Sequence, residues 1–174
     1  MKISTLAACG ALLLSATAIA HAAGVNDAQI AAIVVTANQV DIDAGKLAAA
    51  TTANAEVKKF AELMVTDHTA VNKSAVDLVT RLGVKPEDNA TAQSLAADGK
   101  KNVAYLHTLH GDAFDRAYVK REVEYHQQVL DAVDKVLIPN ASNADLKALL
   151  VKVRPAFVAH LEHAKQVQQG LPKG

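Results

Sequence analysis

Residues 57–82 read VKKFAELMVTDHTAVNKSAVDLVTRL. Within them Val57, Ala61, Met64, His68, Val71, Ala75, Leu78 and Leu82 follow one another at alternating four- and three-residue steps. That spacing puts them on one stripe of an α-helix and predicts that the stripe is buried against other helices. The ends agree with a helix. Asn54 can cap the start with its side-chain oxygen, and Gly83, with Pro86 shortly after, supplies a left-handed stop. The one polar member of the stripe is His68, so a histidine is predicted inside the core.

The same reading extends in both directions. Before this helix, a segment capped by Asn26 or Asp27 and running to about Ala50 carries Ile30, Ile33, Ala37, Val40, Ala44 and Leu47 at helical steps. After it, a weaker helix spans about Thr91 to His110, interrupted by Gly99 and ended by Gly111, with mixed faces that suit a peripheral connector or cap. A fourth helix runs from about Phe114 to Ile138, where Pro139-Asn140 breaks it. A fifth, capped by Ser142 or Asn143, continues to Gln169 and carries Pro155, which predicts a kink. No run of Val, Ile or Thr alternates with period two between turn signals, so no strand is expected. The predicted fold is all-α: an up-and-down four-helix bundle with a short extra helix, forming one domain over residues 23–174.

Composition supports helix-on-helix packing. The 174 residues are 51% apolar but include no Trp and only three Tyr and three Phe, so the core is built from Ala, Val and Leu. With 18 basic and 18 acidic groups and a pI near 7.1, charge gives no reason to expect a nucleic-acid partner. A protein partner or a homo-oligomer stays open at this stage.

The first residues read as an export signal: Lys2, an apolar run from Leu6 to Ala20, and the small-x-small pattern Ala20-His21-Ala22, which predicts cleavage after Ala22. Leu6-Ala7-Ala8-Cys9 has the form of a lipoprotein box, but the apolar run continues after Cys9 instead of preceding it. Removing residues 1–22 takes away His21, the only cysteine and, among charged residues, Lys2 alone. That leaves 17 basic against 18 acidic groups, a formal charge of −1. The remaining chain has no thiol for a disulfide, a nucleophile or a metal. The expected location is the periplasm or cell envelope, with no transmembrane segment in the mature chain.

Three histidines carry the chemistry. Helix four repeats the buried stripe with Val119, Val123, His126, Leu130, Val133 and Leu137. Helix five gives Leu146, Leu150, Val153, Phe157, His160, Ala164 and Val167. Each of three stripes therefore holds one histidine. Counted from Asn140, His126 lies 14 residues back and His160 20 forward, a difference of roughly 9 Å along the axis. Asp67 precedes His68, Glu122 stands one turn before His126, Glu162 follows His160, and Asp41 lies just beside the stripe of the first helix.

Taken singly, each histidine suits a neutral core residue bonded to a carboxylate or carbonyl. Taken together, they suit convergence on one divalent transition metal, for which imidazole is a common ligand. The candidate ligands are His68, His126 and His160, with Asp67 and Glu122. His107 and His110 lie on a poorly amphipathic helix and are expected at the surface. Tyr118 and Tyr125 are expected at the core edge with their hydroxyls on polar partners. There is no glycine-rich phosphate loop, no Gly-x-Ser-x-Gly elbow and no His-Glu-x-x-His, so a hydrolase or nucleotide enzyme has no support.

Three motifs in order, Phe60-Ala61-Glu62-Leu63-Met64-Val65-Thr66-Asp67-His68 with Asn72, Phe114-Asp115-Arg116-Ala117-Tyr118-Val119 leading to His126, and His160-Leu161-Glu162-His163-Ala164, resemble an exported bacterial family catalogued as domain of unknown function 4142. The likeness covers about residues 26 to 170. It implies a ferritin-like four-helix bundle and carries over Asp67, His68, His126 and His160. Ferritin-like metal enzymes typically place Glu-x-x-His on two helices and a glutamate on each of two others. Here Val65, Val123 and Phe157 stand three residues before the histidines, and the first helix has no glutamate. A di-iron carboxylate centre is therefore not expected.

The expectation is an exported, ferritin-like bundle, not a conventional enzyme, with a His/Asp/Glu cluster between helices that binds a divalent metal. The alternative is a non-catalytic envelope interaction or stress-protective protein whose buried histidines are structural.

Overall fold

The computed structural model describes residues 24–173. The export signal and its cleavage site, read on residues 1–22, lie outside the described residues. Among the described residues there are five helices and no strand. They are α1 (Asp27–Thr51), α2 (Ala55–Arg81), α3 (Ala90–Leu106), α4 (Gly111–Ala132, continued by a π-helical turn Val133–Leu137 and a last turn Ile138–Asn140) and α5 (Ala144–Gly170).

The caps explain most boundaries. Asn26 accepts from the Gln29 amide while the Gln29 side chain accepts from the Asn26 amide, a reciprocal capping box. Asn54, Asn89 and Asn143 accept from amides in the first turns of α2, α3 and α5. At Gly83 the chain turns through φ 65° and ends α2 as expected.

Two breaks fall elsewhere than predicted. The third helix stops at Leu106, not at His110, and Gly111 (φ 53°) opens α4, with His110 as its cap residue, instead of ending α3. Pro139 does not stop α4 either. Because proline offers no amide and crowds the carbonyl four residues back, the helix widens into the π turn before it and runs on to Asn140, whose side-chain amide donates to the Val136 carbonyl at 2.7 Å. Gly99 does not interrupt α3. A Cβ there would lie 2.7 Å from a Val40 methyl, so the glycine lets α3 press against α1. Gly45 does the same between α1 and α2, where a Cβ would stand 3.0 Å from Val65 and 3.1 Å from the Ala61 carbonyl.

Contacts at the helix ends give the directions. The α2–α3 connection meets the start of α1, where the Glu87 amide donates to the Ala28 carbonyl and the Asn89 side chain to that of Gln29. From there α3 climbs parallel to α1, past Val40, and delivers the chain to the far end, where Thr52 bonds Asp115. Then α4 descends to the start of α1, where the Asp27 carboxylate accepts from the Ser142 and Asn143 amides. Finally α5 returns beside α2, its His163 edge-on to Phe60. The chain is thus not the simple up-and-down series predicted: α3 is a crossover carried along the outside of α1, and the four long helices run up, down, down and up.

Their shared interior has two apolar clusters. One contains Ile30, Ile33, Leu130, Leu146, Leu150 and Phe157. The other contains Val57, Phe60, Met64, Phe114, Tyr118 and Val119. Among the described residues seven polar side chains are buried: Asn38, Asp41, His68, Asp115, Glu122, His126 and His160. Apart from Asp115, which Thr52 satisfies, they gather in one polar layer. No helix among the described residues is long and apolar enough to cross a membrane.

Candidate metal centre

Each stripe histidine enters this layer from its own helix. His68 comes from α2, His126 from α4 and His160 from α5, and all three are at most 4% exposed. Their rings meet: the centroids are 5.5 Å apart for His68 and His126, 5.2 Å for His68 and His160, and 5.5 Å for His126 and His160. The 9 Å difference in height closes because Cα–Cβ bonds tilt toward the helix N-terminus. On α4 that direction leads away from the Asn140 turn and on α5 it leads back toward it, so His126 and His160 lean to a common level.

The hydrogen bonds fix which nitrogen of each ring bears the proton. His68 Nδ1 lies 2.7 Å from Asn38 Oδ1, and Asn38 Nδ2 donates to the Val34 carbonyl at 2.8 Å, which leaves Oδ1 as the acceptor and Nδ1–H as the donor. His126 Nδ1 donates to the Glu122 backbone carbonyl at 3.0 Å. His160 Nε2 donates to Asp67 Oδ2 at 2.9 Å. The remaining nitrogens, His68 Nε2, His126 Nε2 and His160 Nδ1, are therefore lone-pair acceptors. All three are buried, and none has a hydrogen-bond partner among the described residues. One ring nitrogen from each histidine lies within 4.8 Å of the other two.

Carboxylates adjoin the cluster. Asp41 Oδ2 is 3.5 Å from His68 Nε2, and Glu122 Oε2 is 3.4 Å from His126 Nδ1. Asp41, Glu122 and His126 form a second close group of donor atoms. Burial first, then the Glu122 charge, raises the Asp41 carboxyl well above its usual range, and burial raises Glu122 to about 7. Burial and the neighbouring rings lower His68 to about 2, and burial lowers His126 to about 4. The layer is thus held near neutrality, with His68 and His126 uncharged and a proton kept on the carboxyl pair.

The sequence-derived candidates divide as follows. His68, His126, His160 and Glu122 come together. Asp67 is half-exposed and stands on the outer side of His160, where it orients the ring. Two members of the layer are not among the candidate ligands that the sequence offers. Asp41 was placed beside the stripe of the first helix and Asn38 was not singled out, yet both are buried; the buried face of α1 keeps Ile30, Ile33 and Ala44 of the predicted stripe but adds Val34, Asn38, Asp41, Gly45 and Ala48, so it centres about one position round from the line through Val40. Val40 faces α3 instead. The available signal was Asn38-x-x-Asp41, a polar pair at helical spacing in a segment otherwise rich in Ala, Ile and Val.

His107 and His110 are exposed, as expected. Tyr125 donates to the Ala37 carbonyl at 3.1 Å, in line with expectation, whereas the Tyr118 hydroxyl, fully buried near Glu122 and Asp41, has no protein partner among the described residues.

The profile of the family described as Domain of unknown function (DUF4142) matches residues 13–167. The chain belongs to the DUF4142 family. No curated protein and no solved structure matches it. In this DUF4142 chain the matched span contains every residue of the polar layer, from Asn38 to His160.

Proposed function

We propose that the protein is an exported, ferritin-like helical bundle whose function is to hold one divalent transition metal ion in the His68, His126 and His160 cluster. The observation that carries this reading is the trio of buried ring nitrogens with free lone pairs, each on an imidazole whose other nitrogen already donates to an oxygen. An unpartnered buried acceptor costs about 1–3 kcal/mol, and three histidines that each bring one ring nitrogen within 4.8 Å of the others form a donor set that a metal satisfies. The outer oxygens of Asn38, Glu122 and Asp67 play the part of the second shell that orients metal-binding imidazoles. Zinc–nitrogen bonds of about 2.0–2.1 Å require the rings to draw slightly inward. Asp41 and Glu122 are placed to complete the coordination, and their two negative charges would balance a dication in a buried layer. A bound ion would supply Lewis-acid polarisation of a ligand in its open position.

The up, down, down, up order with one long crossover supports the ferritin-like assignment, although the donor set is histidine-rich where that class is carboxylate-rich. The signal-like N-terminus supports cleavage after Ala22, a single domain over residues 23–174 and residence in the periplasm or envelope. The competing reading, an interaction or stress-protective protein with structural histidines, draws on the hydrogen bond each ring already makes.

Elemental analysis of protein purified without chelators or metal-affinity steps, before and after incubation with Mn, Fe, Co, Ni, Cu and Zn salts, decides between the two. One equivalent of a transition metal per chain is expected. A chain that neither carries nor takes up any of the six would overturn the proposal.

A further inference from the structure

Beside His68, one of the three histidines, lies a cavity of about 100 Å³ between α1, α3, α4 and α5. Its mouth is marked by the exposed Thr91 of α3 and Gln128 of α4, its walls are almost wholly apolar, and its inner end reaches Asn38, Asp41 and His68. Val133 and Leu137, which bound it on one side, both belong to the π turn of α4. A π turn accommodates an extra residue within a helix and frequently accompanies a functional site. Here it sets the wall that α4 presents to the cavity.

Size and lining restrict the occupant. An apolar cavity of about 150 Å³ takes benzene or xenon and excludes water, so one of about 100 Å³ suits roughly three to five heavy atoms. Apolar walls disfavour a charged or strongly hydrated molecule, because its polar groups would lose water without gaining partners. The buried polar groups of the lining, Asn38, Asp41 and His68, lie at the inner end, beside the candidate ligands.

We infer that this cavity is the ligand pocket of the metal centre, admitting a compact, mostly apolar molecule of about three to five heavy atoms between α3 and α4, with its single polar end facing Asp41 and His68. The inference deepens the metal reading and rests on it for that polar end. The cavity itself can be tested without metal.

Two probes separate the parts. In the metal-free protein, xenon is expected to shift the methyl resonances of Val34, Val133 and Leu150, and Ala132→Leu, which fills the cavity from α4, is expected to abolish those shifts. In cobalt(II)-loaded protein, 1-propanethiol is expected to give sulfur-to-cobalt charge-transfer absorption with an affinity about tenfold or more above that of 2-mercaptoethanol, which has the same number of heavy atoms but a polar tail. Ala132→Leu should remove this preference while cobalt still binds at one equivalent. If that variant fails to fold, Leu95→Phe, which narrows the mouth from α3, takes its place. Absence of xenon shifts at these methyls, or equal affinity for the two thiols, would overturn the pocket even where cobalt binds. Failure of cobalt to bind would instead refute the metal reading and the metal-facing end of this inference, while xenon still decides the cavity.

Discussion

Replacing His68 and Asn38 together by leucine should make the metal-free protein more stable while destroying its metal site. In the native layer His68 Nδ1 donates to Asn38 Oδ1, but His68 Nε2 is buried without a hydrogen-bond partner among the described residues. His68→Leu alone relieves that acceptor, worth about 1–3 kcal/mol, but strands the buried Asn38 oxygen at a similar cost, so the net change is near zero. Adding Asn38→Leu removes the second orphan. Its amide group leaves only the Val34 carbonyl behind, and that carbonyl keeps its helical bond. Both leucines roughly conserve volume, which limits repacking losses. The double variant should therefore gain about 1–3 kcal/mol, and Tm should rise by roughly 2–4 °C for each kcal/mol in a domain of this size. Thermal unfolding in chelator at pH 7.5, with zinc uptake measured in parallel, reads both effects. A double variant less stable than wild type by about 2 kcal/mol or more would show that the histidine layer is a net stabilising network, and the reasoning from unsatisfied acceptors would fail.

Other parts of the account give separate tests. Buried His68 and His126 bind protons only near pH 2 and 4, whereas unfolded histidine does so near 6.5. Each therefore removes stability as pH falls below about 6.5, at about 1.4 kcal/mol per unit. Glu122, raised to about 7, acts in the opposite sense, because the fold keeps a proton that the unfolded chain has released, so its contribution grows as pH falls. Urea midpoints of the metal-free wild type should fall only mildly between pH 7 and 5, and those of Glu122→Gln more steeply; equal slopes would refute the opposition. Asp67→Ala should weaken zinc binding about 10- to 100-fold with little loss of stability, since Asp67 touches the site only through His160; an unchanged Kd in competition titrations would deny its orienting role. Gly45→Val should cost about 1–3 kcal/mol, because the backbone of Ala61 lies 3.1 Å from the new Cβ and cannot move aside as a side chain would; a neutral midpoint in urea would show that α1 and α2 can separate freely.

What could be read from the chain, and what could not, follows from how each feature is encoded. The stripes of α2, α4 and α5 carry large aliphatic side chains at regular steps, so their histidines stand out as exceptions within a pattern. On α1 the small residues Ala37, Ala44, Gly45 and Ala48 blur the periodicity, and choosing the more apolar Val40 over Asp41 turned the helix about one position from its true facing. The polar pair Asn38 and Asp41 is buried because partners on other helices accept it, and that information is not local. Convergence of the three rings depends on helix order and on the direction in which Cβ atoms lean. The π turn answers the steric demand of Pro139, whose effect on the preceding residues depends on whether α5 and α1 hold the helix in place beyond it. Asp27 does so by accepting from Ser142 and Asn143. The crossover path of α3 was hidden for a related reason: Gly99 looks like a helix breaker until Val40 is seen against it.

The central claim is that His68, His126 and His160 jointly hold a metal ion. Its most direct test is calorimetric zinc titration of the chelator-stripped protein beside a His126→Ala, His160→Ala double variant whose helicity is checked by circular dichroism. The account predicts one equivalent bound by the native protein and none by the folded variant. Equal binding by both, or none by the native protein, would contradict it.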